Sequence, residues 1–413
     1  MKIKQQSNKK STSDRIFLTG IFIMILSTQG ILINFILSNI GIGFIKSIIF
    51  EIGVVLLILA TIYKAIFEEK MKYKLLNLFI VTYIILEISL LLFKQISFID
   101  ILYVIKETWI AILLIIIIKN FSYTLINNNK NIIKLLLLLN ILNLLATIIS
   151  HVIGSEKYMT ILTGRYIYPL DTELNFKVSH INGILRTPAL IGESASFSYF
   201  SAISFIIFNI FKCKLGKMVS LLNVILAFTR SGYIFILIYI LFNLVKTISI
   251  KRKISIYRFT TYNILAIIIF TSSYLFIIKN KDFISNLFST SSTIERFEFW
   301  NEITENNINE NILEVLIGGG IGEIGNVSRA NGFLRIFDNT WLYLYYSIGI
   351  IGLILFIFFF FKESKYNYQK LSIIISLFVA MIFVNVFQSE VIIGMIPILL
   401  VLSDYKNKQD MKG

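Results

Sequence analysis

The side chains best suited to chemistry in this chain are arginines that lie between or beside long apolar runs. The interval from Ser291 to Trp341 is the longest polar stretch, and it holds three of them. The arginines of interest are Arg186, Arg230, Arg296, Arg329 and Arg335. A guanidinium group stays charged near lipid and binds phosphate oxygens in a bidentate manner. These arginines therefore predict a site for an anionic substrate that carries phosphate.

Carboxylates near these arginines are candidate general bases. Asp338 is the preferred candidate, and Glu193 or Glu295 is the substitute. A diphosphate leaving group requires positive charge, and an attacking hydroxyl requires a base. Together the residues fit glycosyl transfer from a polyprenyl diphosphate. A structural alternative for Asp338 is that it only caps the apolar run that begins at Trp341, because Asp is favoured at a helix N-cap.

Arg296 lies on an apolar helical face. Phe299, Trp300 and Ile303 follow it at the spacing that places all four residues on one side of a helix. One interpretation is an interfacial helix whose arginine only reaches up to the membrane surface. The other, which we adopt, is that Arg296 faces the substrate.

Other kinds of active site find little support in the sequence. The segment Gly320–Gly325 fits the spacing GxGxxG, but a dinucleotide site needs that motif between a strand and a helix. We interpret these glycines as allowing a tight turn and close approach of the backbone. His151 and His180 stand outside any metal-ligand spacing, and Cys213 is the single cysteine. We therefore expect neither a metal nor a cofactor.

Several charged residues fall inside apolar runs. They are Lys46, Glu51, Glu87, Lys106 and Glu107. Charge inside a membrane is costly, so each such residue is a functional candidate by default. Glu87 and Glu107 would mark a proton or ion path if the protein were a transporter. They do not form a dense acidic relay, so we favour pairing or packing for both.

The composition of the chain identifies a membrane protein. Of 413 residues, 56% are hydrophobic and 15% are charged, and the mean hydropathy is +0.78. A soluble domain could not bury so much apolar surface. The apolar runs are long enough to cross the hydrocarbon layer as helices, which satisfy their own backbone hydrogen bonds. The predicted fold class is therefore an all-α, polytopic integral membrane protein.

Twelve membrane spans account for the apolar runs. The predicted spans are about 16–37, 43–65, 75–93, 99–118, 132–152, 190–211, 216–229, 232–249, 259–278, 341–361, 371–388 and 390–404. With a cytoplasmic N-terminus, most lysines and arginines fall in cytoplasmic segments, as membrane proteins prefer. This asymmetry explains the net charge of +15 without a nucleic-acid partner. We expect one membrane domain over residues 1–413, both termini in the cytoplasm, and large outer loops at about 153–189 and 279–340.

Four parts of the chain resemble a family of envelope proteins. The parts are RTPALIGESASF (186–197), TRSGYI (229–234), ERFEFWNEI (295–303) followed by LIGGGIG (316–322), and DNTWLYLYYSIGIIGLILF (338–356). In order and spacing they resemble the O-antigen polymerase and O-antigen ligase superfamily of bacteria, over roughly residues 180 to 361.

The resemblance implies a multi-helix glycosyltransferase that needs neither a metal nor a nucleotide sugar. It implies that Arg230 and Arg296 hold the undecaprenyl diphosphate of the donor, and we add Arg186 and Arg335 as further ligands. Ligases of the superfamily usually carry a histidine followed by asparagine before the next span, whereas this chain has Asp338-Asn339. The departure favours a polymerase.

The sequence thus predicts a repeat-unit polymerase for O-antigen, capsule or exopolysaccharide in the bacterial cytoplasmic membrane. Its substrate would be an undecaprenyl-diphosphate-linked oligosaccharide, with a chain-length regulator and a flippase as candidate partners. An O-antigen-type ligase is one alternative. A flippase or other transporter of lipid-linked oligosaccharides is another, as is a non-catalytic scaffold.

Overall fold

The computed structural model describes residues 11–39, 48–68, 75–93, 98–163, 179–181, 184–251, 312–318, 339–364 and 367–410. Over these residues the regular secondary structure is helical apart from one short antiparallel hairpin, which confirms the all-α prediction. The predicted span at 259–278, residues 164–178 of the first outer loop and most of the second outer loop lie outside the described residues.

The helices and strands follow one another along the chain with short connections. They are α1 (Thr12–Ser27), α2 (Gly30–Asn39), α3 (Ile49–Tyr63, continued by a π-helical turn at Lys64–Glu68), α4 (Leu75–Phe93), α5 (Phe98–Thr108), α6 (Ile110–Asn120), α7 (Ser122–Asn127), α8 (Asn129–Ile153), α9 (Ser155–Thr163), β1 (Ser179–Ile181), β2 (Ile184–Arg186), α10 (Ser194–Ile210), α11 (Lys214–Leu226), α12 (Arg230–Lys251), α13 (Ile312–Ile317), α14 (Thr340–Ser364), α15 (Tyr368–Phe383), a 3-10 turn (Val386–Gln388) and α16 (Glu390–Asp410).

Several of these helices are apolar enough for a membrane. Ile49–Glu68, α8 and α14 are each long and apolar enough to cross a bilayer, and α1 with α2 would form a fourth, bent span. Shorter apolar helices include most of α4 and α12 and the whole of α6 and α10. Large apolar side chains remain exposed on the long helices, for example Val55, Leu145 and Ile354. Lipid is the environment that such faces require, which supports a membrane protein.

The chain divides into two compact units, and the candidate site residues that the structure describes lie in the first. Unit 1 comprises Met1–Lys74, Ile110–Tyr233 and Ser389–Gly413. In it α1 packs along α3, with Gly20 against the backbone of Gly53, and α10 packs against α8, α11 and α16. Helix α10 is almost entirely buried, so it forms the centre of this unit.

Unit 2 comprises Leu75–Trp109 and Ile234–Gln388. Helix α14 is its central element and packs against α4, α5, α13 and α15. An aromatic cluster around Phe378 fills the contact between α14 and α15, with the rings of Phe356 and Phe360 beside it. The sequence prediction of one membrane domain over the whole chain stays a prediction.

Three of the predicted spans are broken where the sequence suggested one continuous helix. The first bends by 96° between α1 and α2, and the fourth consists of α5 and α6 on either side of Trp109. Helix α14 contains a non-helical residue, Gly349, with a φ of 64°. The bend between α1 and α2 and the backbone conformation of Gly349 are features that apolar periodicity does not reveal.

Candidate functional site

The N-terminus of α12 is the part of the structure best suited to bind an anion. The helix begins at Arg230, whose side chain is exposed, and the amide of Tyr233 makes its first helical hydrogen bond, to the carbonyl of Thr229 at 3.3 Å. The amides of Arg230, Ser231 and Gly232 precede that bond and have no acceptor within the helix. Such amides, together with the helix dipole, attract negative charge.

Two buried hydroxyl groups at this terminus make no hydrogen bond with the described part of the chain. Thr229 occupies the N-cap position, but its hydroxyl does not cap the helix, and Ser198 of α10 is fully buried. Both lie against Gly232: a Cβ added there would overlap the Ser198 oxygen and lie 3.3 Å from Thr229 Oγ1. We call Ser198, Thr229 and the free amides, together with Arg230, the α12 cradle.

The α12 cradle offers hydrogen-bond donors and one positive charge, and none of its members carries a negative charge. An unpaired buried hydroxyl costs free energy, so a protein that keeps two of them together has reason to bind something there. A phosphate oxygen accepts from amides, hydroxyls and guanidinium alike. The cradle is therefore suited to bind a phosphate or diphosphate without a metal.

A buried, non-helical segment, 187–192, leads from Arg186 to Glu193. Irregular backbone inside a membrane protein must find its partners within the protein. Here Leu190 is bonded on both sides: its amide donates to Asn143 Oδ1 at 3.0 Å, and its carbonyl accepts from the amide of Ile31 at 2.9 Å. The second bond engages the N-terminus of α2 and explains why α1 and α2 do not form one straight helix.

Further side chains fix the same segment. Tyr158 of α9 donates to the carbonyl of Ala189 at 2.7 Å, and burial raises the pKa of this tyrosine, which keeps its hydroxyl a donor. Ala189 and Gly192 both have positive φ, of 46° and 114°. For Ala189 this conformation is strained, and strained backbone persists only where the surroundings impose it. The segment is thus held in one conformation between two candidate site residues.

The C-terminal end of α8 joins the buried segment to the α12 cradle. The hydroxyls of Ser150 and Thr187 are 3.0 Å apart. The ring of the next residue, His151, meets the ring of Phe228 edge to face at 6.4 Å, just before Thr229. Since Arg186 precedes Thr187, one end of unit 1 brings the neighbourhoods of Arg186 and Arg230 together. Arg186 itself is half-buried.

Glu193 begins α10 but does not act as its cap. Its side chain accepts no hydrogen bond from the helix amides, and Oε2 instead accepts from Ser196 Oγ at 2.8 Å. Ser196 Oγ lies 2.9 Å from Ser389 Oγ, at the start of α16. Glu193 and Ser198 are five positions apart on α10, which corresponds to about 7.5 Å of helical rise. The carboxylate and the α12 cradle therefore share one rigid element.

The other predicted site residues, Arg296, Arg329, Arg335, Glu295 and Asp338, lie outside the described residues. One observation still bears on Asp338. Asn339 Oδ1 accepts from the amides of Trp341 and Leu342 at 2.9 and 3.2 Å, so Asn339 caps α14. The capping role that was the structural alternative for Asp338 is filled by its neighbour.

The intramembrane carboxylates of unit 2 are paired with aromatic donors. Glu87 Oε2 accepts from the indole of Trp109 at 2.6 Å, and Glu107 Oε2 accepts from the hydroxyl of Tyr343 at 2.7 Å. Both carboxylates are buried. This arrangement agrees with the prediction of pairing and packing for these two residues. Lys46 lies outside the described residues.

Gly318 makes a close backbone contact just before the Gly320–Gly325 segment, which lies outside the described residues, so the turn expected in that segment stays a prediction. Gly318 has a φ of 85°, and a Cβ there would overlap the carbonyl of Ser347. Tyr83 donates to the carbonyl of Ile348 at 2.8 Å and lies 3.3 Å from that of Ile317. The contact therefore ties the end of α13 to the break in α14.

Ser198 and Thr229 are site residues that sequence reasoning missed. The available signal was small: a threonine before Arg-Ser-Gly, and a serine in an apolar helix. Nothing in one sequence indicates that Ser198 packs on Gly232. Within the described ranges, no cluster of His, Cys, Asp or Glu is arranged to hold a metal ion.

Comparisons with protein-family models, with curated proteins and with solved structures find no match to this chain.

Proposed function

We propose that the chain is a polysaccharide repeat-unit polymerase of the bacterial cytoplasmic membrane, with about twelve spans and both termini in the cytoplasm. It joins undecaprenyl-diphosphate-linked oligosaccharides on the outer side of the membrane, as the resemblance to the O-antigen polymerase superfamily implies. The observation that carries the proposal is the α12 cradle, which combines Arg230, free helix amides and unpaired buried hydroxyls.

The chemistry needs no metal at this site. The oxygen of an acceptor sugar hydroxyl attacks the anomeric carbon of the donor, and the bond from that carbon to the diphosphate oxygen breaks. The diphosphate leaves with the electron pair, while the proton of the attacking hydroxyl passes to a base. Donors that are already oriented toward the leaving group stabilise the charge that develops on it. Arg230 and the amides of the α12 cradle take this role, assisted by Arg186, Arg296 and Arg335.

The alternatives have weaker support. A transporter of lipid-linked oligosaccharides should place charge along a passage, whereas Glu87 and Glu107 are buried, and one oxygen of each carboxylate accepts from an aromatic donor. A ligase is chemically close, and it differs in the acceptor. The Asp338-Asn339 pair, where ligases of the superfamily usually carry His-Asn, favours the polymerase.

The test is reconstitution of the purified protein with a lipid-linked repeat unit. The wild-type protein should produce a ladder of longer lipid-linked glycans, and Arg230→Ala should lose most of this elongation. Lys214→Ala is the matched control, because it removes an exposed positive charge at the start of the neighbouring helix α11. Movement of the substrate across the bilayer without elongation would contradict the proposal, and transfer to a different acceptor would favour the ligase.

A further inference from the structure

We propose that Glu193 is the general base of the transfer reaction and that Ser196 and Ser389 position its carboxylate. This inference rests on the proposed function and adds to it the identity of the proton acceptor. Asp338 is the first choice from the sequence, but it lies outside the described residues, whereas the contacts around Glu193 give its carboxylate a defined geometry.

Glu193 does little for the stability of its own helix. Glutamate is not among the favoured N-cap residues, and this side chain makes no capping hydrogen bond. A negative charge at a helix N-terminus contributes about 0.3–1 kcal/mol, which an aspartate or a serine cap would supply equally well. The free energy of folding therefore gives no reason for a glutamate at this position.

The hydrogen bonds around Glu193 have a fixed direction. A carboxylate only accepts, so Ser196 must donate its single hydroxyl hydrogen to Oε2. The hydroxyl of Ser389 must then be the donor in its 2.9 Å contact with Ser196. Oε2 is thereby engaged, while Oε1 takes no hydrogen bond from the described residues. Glu193 is half-buried, so Oε1 is left to accept a proton from a substrate.

The backbone holds this carboxylate in place before the substrate arrives. Gly192 has a φ of 114°, a conformation that glycine adopts without the strain that other residues incur. The preceding residues are fixed by Asn143, Tyr158 and the N-terminus of α2. Because the Glu193 carboxylate is already held in position, it loses little conformational entropy when the acceptor sugar binds.

The position of Glu193 relative to the α12 cradle also suits a general base. Glu193 precedes the first turn of α10 and Ser198 lies in its second turn, so the carboxylate and the cradle belong to the same end of this helix. In the reaction the acceptor oxygen bonds to the anomeric carbon, the diphosphate leaves with the electron pair of the broken bond, and Glu193 Oε1 receives the acceptor proton.

The decisive variant is Glu193→Gln, which keeps the shape and can still accept from Ser196. Its rate of elongation should fall by about 10²- to 10⁴-fold, the usual contribution of a general base. Its affinity for undecaprenyl diphosphate, measured on the same purified protein, should stay unchanged. Formate should restore part of the activity of Glu193→Ala, because it can occupy the space of the missing carboxylate.

Ser196 and Ser389 are tested as positioning residues. Ser196→Ala should lower kcat by on the order of tenfold while leaving KM unchanged, because the carboxylate is present but less well oriented. Ser196→Thr keeps the hydroxyl and should restore kcat. A merely structural serine would instead change the thermal unfolding midpoint and KM along with kcat.

The outcomes separate the two proposals. If the wild-type protein forms no ladder, the proposed function fails. If the wild type elongates and Glu193→Gln elongates equally well, only the assignment of the base is wrong. Loss of activity in Asp338→Asn with full activity in Glu193→Gln would overturn the inference in favour of Asp338.

Discussion

At the scale of single residues, apolar substitutions in the α12 cradle should raise the stability of the protein and lower its function. The hydroxyls of Ser198 and Thr229 are buried and make no hydrogen bond with the described residues. Each should therefore cost the folded protein free energy that an apolar replacement would recover. Active sites commonly retain such costs because the ligand requires the group.

The variant Thr229→Val tests this directly, since valine has nearly the same shape as threonine. We expect the free energy of unfolding to stay the same or rise by about 1 kcal/mol, because an unsatisfied group is removed. Affinity for undecaprenyl diphosphate should fall at least severalfold. The measurements are thermal unfolding in detergent and binding on the same sample.

The control for that prediction is Thr61→Val in α3. The hydroxyl of Thr61 donates to the carbonyl of Leu57 at 2.9 Å within its own helix, far along the chain from the cradle. This variant should leave binding unchanged. If Thr229→Val lowered stability and left binding intact, the hydroxyl would be structural and the cradle would lose one of its donors.

At the scale of elements, Asn143 makes the contact that links the buried segment 187–192 to two other parts of unit 1. Asn143 accepts from the amide of Leu190 and donates to Gln29 Oε1 at 2.7 Å, so it connects α8, the segment and the bend between α1 and α2. Replacing it by alanine leaves two buried polar groups without partners. Each such group costs about 1–3 kcal/mol.

We therefore expect Asn143→Ala to destabilise unit 1 and to lower activity with it. Asn243→Ala is the comparison, because Asn243 is half-buried and its Nδ2 donates to the carbonyl of Tyr239, one turn earlier in the same helix, at 2.9 Å. Thermal unfolding of both variants, monitored by circular dichroism, measures the difference. Equal midpoints for the two variants would mean that the segment is held by other contacts.

The backbone contact between Gly318 and the break in α14 gives a second prediction for an element. Tyr83→Phe removes the hydrogen bond to the carbonyl of Ile348 at the break in α14. The free energy of unfolding should fall by about 1–3 kcal/mol, because a buried carbonyl in a broken helix has few other donors. Tyr63→Phe, on a half-buried tyrosine of α3, should have a smaller effect, and a reversal of this order would contradict the account.

The sequence predicts helices well and their interruptions poorly. The break between the predicted spans 216–229 and 232–249 follows from local residue types, and the structure has it between α11 and α12. The bend after Ser27 does not, because its cause is the carbonyl of Leu190, which lies far away in the sequence. The sequence analysis gives capping only as the structural alternative for Asp338, whereas the residue that caps α14 is Asn339, one position later.

The candidate site likewise has features that the sequence predicts and features that it does not. Arg186, Arg230 and Glu193 could be named from their residue types beside apolar runs. Their grouping at one end of unit 1 could not, because it depends on Ser150 and His151 contacting two distant parts of the chain. Hydrophobic periodicity reports which face of a helix is apolar, and it carries no information on which helices meet.

At the scale of the whole molecule, the charge distribution predicts the orientation in the membrane. Segments rich in lysine and arginine should face the cytoplasm, which places the connection between α10 and α11 inside and the start of α12 outside. Single cysteines at Lys214 and Tyr233, both exposed, test this in a Cys213→Ser background. A membrane-impermeant maleimide added to intact cells should label Tyr233→Cys and spare Lys214→Cys, and the opposite pattern would place the cradle on the wrong side.

The central claim is that the start of α12 binds the diphosphate of a lipid-linked donor, and its most direct test is an affinity measurement. Purified wild-type protein should bind undecaprenyl diphosphate without added metal. Arg230→Ala should bind it at least about tenfold more weakly, which corresponds to the loss of one charge-assisted hydrogen bond. Equal dissociation constants for the two proteins, with both correctly folded, would contradict the account.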